Sequence, residues 1–510
     1  MTIQGSNMLS SVTFSAALPQ QQAVERDDAA YRILVIGDLG APSAFHPPIA
    51  IDREELDQVI AQLKVRTSLQ LRDADPAVEI SFGEFDDFHP DRLFQRLHVF
   101  EALRSRRQRL LNDATCREEI AAILKTKSAD APASEVMIDS SGSPFSTKDN
   151  GADLLAQVLS GTQATQKVLE QQILEGTVDW DAYVRQLVAP YVVAAVDTRQ
   201  TEMIAGVDAA IADALRAILH NCSFQGIEAT WTGIRFLARR LETDRSLQLS
   251  VMHVSAGELA ADMLTDKDLT RTKLYRILVD AVSAEGADPW SLVVGDLHFG
   301  LSMSACETLA RIAEICEAAG AIFVSGAAPE IAGCPGFAQG NRFADTSEPR
   351  DWPAIGDEYR QLWSTVRNDS SSQHVVLGLP RLMARRPYGA DSDPIESFEF
   401  SELSDGIRHD HFLWMNAAFG IAELLGRAFT NARHDCTNGI PAEIERLPQH
   451  VFTQDGEEVI QPATEAVLSE RAAEKFAQSG LTVLRSVRDT DSVRVATVRT
   501  LSLVHPDLPE

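Results

Sequence analysis

From Phe224 to Leu241 (FQGIEATWTGIRFLARRL) apolar residues recur at Phe224, Ile227, Trp231, Ile234, Leu237 and Leu241. Steps of three and four put them on one face of an α-helix, and a central Trp predicts that this face lies deep in a core. Periodicity predicts further helices over Met203–His220, from Ser255 to about Ala284, up to Gly320, and over His411–Phe429. Ser255 with Glu258 has capping-box spacing, as do Asp52 and Glu55 ahead of a helix to Leu63, and Gly320 suits a helix C-terminus.

Short apolar runs predict strands at Tyr31–Gly37, Ala77–Phe82, Leu247–Val254, Trp290–Phe299, Ala321–Ser325 and His374–Leu379. Leu481–Val487 and the alternating Ser492–Leu503 complete the set. The β–α–β succession from Trp290 to Ser325 implies a parallel pair with helices on the sheet faces, hence an α/β class. The first block, to residue 127, reads as a small, self-contained α+β unit. Its helix starts at Pro90, in a good first position, and continues with breaks toward Leu124. Residues 128–150 are rich in Ser, Ala, Asp and Pro and read as a linker; residues 151–510 form the second block.

Composition narrows the function. A net charge of −28 over 510 residues argues against nucleic acid as a partner, because phosphate recognition needs a Lys/Arg surface. Apolar residues at 45% and charged residues at 24% indicate a globular chain. The six cysteines form no CxxC pair and are expected as free thiols in a reducing compartment. The sequence shows no signal-peptide pattern and no apolar run near the ~20 residues that span a bilayer, so a cytoplasmic location without membrane insertion is expected.

Candidate chemistry is sparse. Gly-Asp closes a strand in both VIGDLG (Val35–Gly40) and VGDLHF (Val294–Phe299), without GxGxxG or a Walker lysine. Arg408-His409-Asp410-His411 lacks a ligand-spaced partner and reads as a capping, solvated His pair. Arg381, Arg385 and Arg386 beside Pro387-Tyr388-Gly389 fit an anion or acidic partner, or a structural turn laced with salt bridges. Neither a cofactor, a metal nor a catalytic residue is expected, and no enzyme.

An ordered set of motifs resembles the large sheath subunit of type VI secretion systems (TssC, or VipB). Phe224, Glu228, Trp231, Gly233 and Leu237 stand as in its hallmark helix. Asp288-Pro289-Trp290 then leads into a strand with Gly295, Asp296 and Phe299. LPRLMARRPYG follows, with Pro380, Arg381, Pro387, Tyr388 and Gly389, then FLWMNAAFGIA with Trp414 and Asn416, and Pro462-Ala463-Thr464-Glu465. The first block resembles the small subunit (TssB, or VipA) through ILVIGDLG, PIAIDREELDQVI and FDDFHPDRLFQRL. The resemblance implies a fused protomer of a contractile sheath that stacks helically around an inner tube on a baseplate, with an AAA+ unfoldase (ClpV-like) recycling it. It also implies unfoldase recognition near Asp153–Leu159, through Leu154, Leu155, Val158 and Leu159; a short helix packing on its neighbour is the alternative there. Strand exchange between copies would use Val12, Thr13 and Phe14. In place of the family's further C-terminal block, which this sequence is expected to lack, it would use Val493, Val495 and Val498. An accessory protein that binds a sheath end or baseplate without polymerising is the second reading.

Overall fold

The computed structural model describes residues 30–123 and 200–508, apart from short interruptions. A nine-stranded mixed sheet forms its middle layer. In chain order its strands are β1 (Tyr31–Gly37), β2 (Ile49–Ala50), β3 (Leu247–His253), β4 (Trp290–Phe299), β5 (Ile322–Ala327), β6 (Val375–Leu379), β7 (Glu443–Ile444), β8 (Thr482–Ser486) and β9 (Val493–Val495). They lie in the order β7-β9-β8-β6-β5-β4-β1-β3-β2. The six strands from β8 to β3 run parallel, and β2, β9 and β7 are antiparallel to their neighbours.

Strands buried on both faces read as unbroken apolar runs, and β1 shows why. Ile33 and Val35 enter one core, Leu34 and Ile36 the other, all four fully buried. The helices are α1 (Leu56–Leu63), α2 (Pro90–Arg96), α3 (Glu101–Leu111), α4 (Gln200–Leu219), α5 (Cys222–Arg240), α6 (Ala256–Thr265), α7 (Met303–Ala319), α8 (Asp357–Asn368), α9 (Ala417–Asp435) and α10 (Glu470–Gln478). The core on the Ile33 side takes in α1 to α5 and α9; α6, α7, α8 and α10 supply the other.

The first block is therefore not self-contained. β1 pairs along its length with β3, from Tyr31↔Leu247 to Gly37↔His253, and on its other side with β4. An isolated strand–helix block leaves both edges of its apolar strand unpaired; the later part of the chain supplies both neighbours. Other expectations also shift. The helix begun at Ser255, with its capping box in place, breaks after Thr265; a short 3-10 turn at Leu269–Arg271 follows, and helix resumes over residues 273–285 with a π-helical stretch at Arg276–Asp280. Asp52 accepts from Glu54 N and Glu55 N, and α1 opens on Glu55 without a side-chain cap. The helix expected from His411 starts at Ala417, because Trp414–Met415 pairs with Leu382–Met383 as strand. The alternating stretch from Ser492 holds strand only over Val493–Val495. Among the described residues no helix is long and apolar enough to cross a membrane.

Candidate functional site

The hallmark helix α5 occupies the joint between the two blocks. Asn221 caps it, accepting from Ser223 N at 3.0 Å, and its apolar face is buried as the spacing predicts. Phe224, Trp231 and Leu237 are fully buried, and Trp231 Nε1 donates to Leu39 O at 3.2 Å, tying the helix to the loop after β1. Gly233 is where α5 meets α9: a Cβ there would lie 2.5 Å from Phe419 Cδ2. Gly295 makes the same kind of room on β4, for Phe323.

The polar side of α5 holds a buried charge cluster. Glu228 (2% exposed) and Glu402 (1%) flank the Arg385 guanidinium (16%), with Nε–Oε1 of 2.6 Å to Glu228 and Nη1–Oε2 of 2.8 Å to Glu402. Arg385 also stacks on the Tyr388 ring at 3.9 Å. Burial pushes the Glu228 carboxyl above its ordinary range; Arg385 pulls it back and Glu402 pushes it up again. Burial works against the charge on Arg385 too, but the two carboxylates hold its pKa well above the usual value. His220 lies 3.8 Å from Glu402 and stacks on His411, and burial drops its pKa to about 3, so it is neutral. One guanidinium bridging two buried carboxyl groups is a tightly structural arrangement. The Arg-rich turn is thus laced with buried salt bridges, as one of its two sequence readings had it.

A cavity of about 1130 Å³ opens at the carboxyl ends of β1, β3 and β4, the place where α/β sheets commonly bind ligands. The two Gly-Asp motifs meet there, since a Cβ on Gly37 would lie 2.9 Å from Asp296 Cβ. Most of its polar groups are committed to the fold. Thr230 Oγ1 donates to Asp296 Oδ2 at 2.5 Å, Asn416 Nδ2 to Leu297 O at 2.8 Å, Trp414 Nε1 to His409 O at 2.9 Å, and His253 Nδ1 accepts from Leu39 N at 3.0 Å. Arg381 pairs with Glu465 at 2.7 Å. Burial opposes ionisation of Glu465, yet Arg381 and His409 bring its pKa down to about 2. Ser255 Oγ donates to Glu258 Oε2 at 2.7 Å, which is the capping box of α6. The His409–His411 pair is not solvated: His409 is buried between Trp414 and Glu465, and His411 stacks on His220.

The remaining predicted residues separate. Phe299 is buried at the end of β4, while Pro380, Pro387 and Gly389 shape the turns around Arg381 and Arg385. Val493, Val495 and Val498 are buried, and β9 has both edges occupied, by β8 and β7; exchanging it between copies requires displacing β7. Val12, Thr13 and Phe14, and Leu154, Leu155, Val158 and Leu159, lie outside the described residues. Sequence reasoning did not find Glu402 or His220; with Glu228 and Arg385 157 positions apart, no local spacing signals the cluster.

Residues 201–502 match the VipB family model, described as the tail sheath N-terminal domain. The chain belongs to the type VI secretion sheath family. Residues 12–131 match a second model, the VipA family of type VI secretion systems, so both subunit types are joined in one chain. The sheath protein TssC1 of Pseudomonas aeruginosa is 31% identical over 301 residues, which cover 57% of this chain and 58% of that protein. This chain thus spans little more than half the length of that relative. The sheath family is structural and non-enzymatic.

Proposed function

We propose that the chain is a fused protomer of a contractile sheath, with residues 1–127 as the small-subunit part, 128–150 as tether and 151–510 as the large-subunit part. The carrying observation is β1: the small-subunit strand is paired along its length inside the large-subunit sheet, so the two parts form one subunit rather than two docked ones. The tether keeps the second part at high effective concentration for the first. Copies stack around an inner tube on a baseplate in the cytoplasm, and relaxation from an extended to a better-packed lattice propels the tube, a change between two discrete interfaces. An AAA+ unfoldase engages Leu154, Leu155, Val158 and Leu159. Val12, Thr13 and Phe14 link neighbouring copies by adding a strand to an open sheet edge.

Electron microscopy of the purified protein tests this reading. Long helical tubes are expected, and removing residues 1–20 should abolish them. Discrete particles at every concentration and salt would point instead to an accessory role at a sheath end or the baseplate.

A further inference from the structure

The loop from Tyr388 to Glu402 is pinned shut at its neck. Tyr388 N donates to Glu402 Oε2 at 2.7 Å, and Glu402 N donates back to Tyr388 O at 2.9 Å. Arg216 Nε holds the same neck through Ser401 O at 2.9 Å. Beyond the neck, the loop lies across α2 and α3 of the small-subunit part. Glu396 N donates to Asp91 Oδ2 at 2.9 Å, Tyr388 meets His89 edge-on at 4.9 Å, and Phe398 meets Phe94 edge-on at 5.7 Å. Arg107 sits 5.8 Å from the Phe398 ring and pairs at 2.6 Å with Asp208 on α4.

We infer that residues 388–402 are a strap, buckled by the Glu228–Arg385–Glu402 cluster, that holds α2 and α3 against the core so that strap and helices open together while the sheet stays closed. Two physical points support this. α2 and α3 pack on the strap, on α4 and on the neighbouring turn Phe85–Phe88, whereas β1 is held by a separate hydrogen-bond ladder on each side. The buckle is buried, and a buried ion pair that loses one partner is strongly destabilised. Elements held by such separable contacts open as sub-global units with less than the global free energy.

Hydrogen–deuterium exchange of the full chain tests this, comparing the natural protein with Glu402→Gln, with Phe398→Ala, and with Leu377→Ala on β6 as a core control. In Glu402→Gln, exchange should rise together in 388–400 and 90–111, roughly tenfold or more, with 322–327 and 375–379 unchanged. Phe398→Ala, which leaves the buckle intact, should give the same paired rise, and Leu377→Ala should raise the sheet peptides. A rise in 388–400 alone, a proportional rise everywhere, or no change in Glu402→Gln would each overturn the inference.

Discussion

Two glycines of helix α5 should respond to alanine with opposite sign. Replacing an interior helical Gly by Ala normally stabilises by ~1 kcal/mol, because Ala loses less backbone freedom on folding. Gly226 is exposed, and a Cβ there meets nothing within 4 Å, so Gly226→Ala should gain most of that amount. Gly233 faces Phe419, itself fully buried, with three ring atoms within 2.7 Å of the new Cβ. One added methyl in a closed core costs ~1–3 kcal/mol in displaced side chains and backbone. The helical gain offsets about 1 kcal/mol of this, leaving Gly233→Ala ~0–2 kcal/mol less stable than the natural chain. Urea unfolding of dilute protein by far-UV circular dichroism reads this directly. Gly226→Ala should raise the midpoint and Gly233→Ala lower it, with similar slopes. Phe419→Leu in the Gly233→Ala background should then cost less than it does alone, since the two residues share one space. If Gly233→Ala raised the midpoint as Gly226→Ala does, the close approach of α5 and α9 would not be the reason for a glycine there.

Arg385→Met leaves Glu228 and Glu402 buried without a cation and should cost ~3–5 kcal/mol at neutral pH. A buried carboxyl whose pKa is raised contributes stability below its unfolded value and loses it as pH rises through the folded value, so this variant's deficit should shrink in acid; a deficit independent of pH would refute the argument. Glu465 works the other way. With its pKa down at about 2, its contribution is present above the unfolded value of 4.5 and lost as pH falls toward 2. Glu465→Gln should therefore be less stable at neutral pH and lose stability less steeply over that window in acid melts. Trp231→Phe strips the donor from Leu39 O and leaves a void, for a loss of ~1–3 kcal/mol in the same urea assay; no loss would mean the indole bond is incidental.

Local pattern carried much of the fold. Tyr31–Gly37 and Trp290–Phe299 are strands with the bounds their apolar runs suggest, and α5 departs from its periodic stretch by two residues at the start and one at the end. Failures came where a distant partner decides. Trp414 and Met415 fit a helical period but are strand because Leu382 and Met383 lie alongside. The first block looked complete because an apolar run does not reveal which strands sit beside it. The motif residues were legible as a set, yet the geometry that unites Glu228 with Arg385 and Glu402 depends on chain segments far apart in sequence, which spacing does not encode.

The central place of β1 also has a consequence in time. Ala30, beside its first residue, bonds Asp288, just ahead of β4 and 258 residues later, and even the nearer neighbour β3 begins 216 residues after Tyr31. At the usual ~5–20 residues per second of synthesis, the stretch up to β3 takes ~10–45 s, during which YRILVIG has neither neighbour. A short apolar strand with two open edges is a template for wrong pairing. Arg32 and Asp38, charges inside and just past this strand, are what the sequence offers against it. Joining the two sheath parts in one chain guarantees their meeting; it also makes every newborn copy carry an unpartnered strand until its own second half arrives.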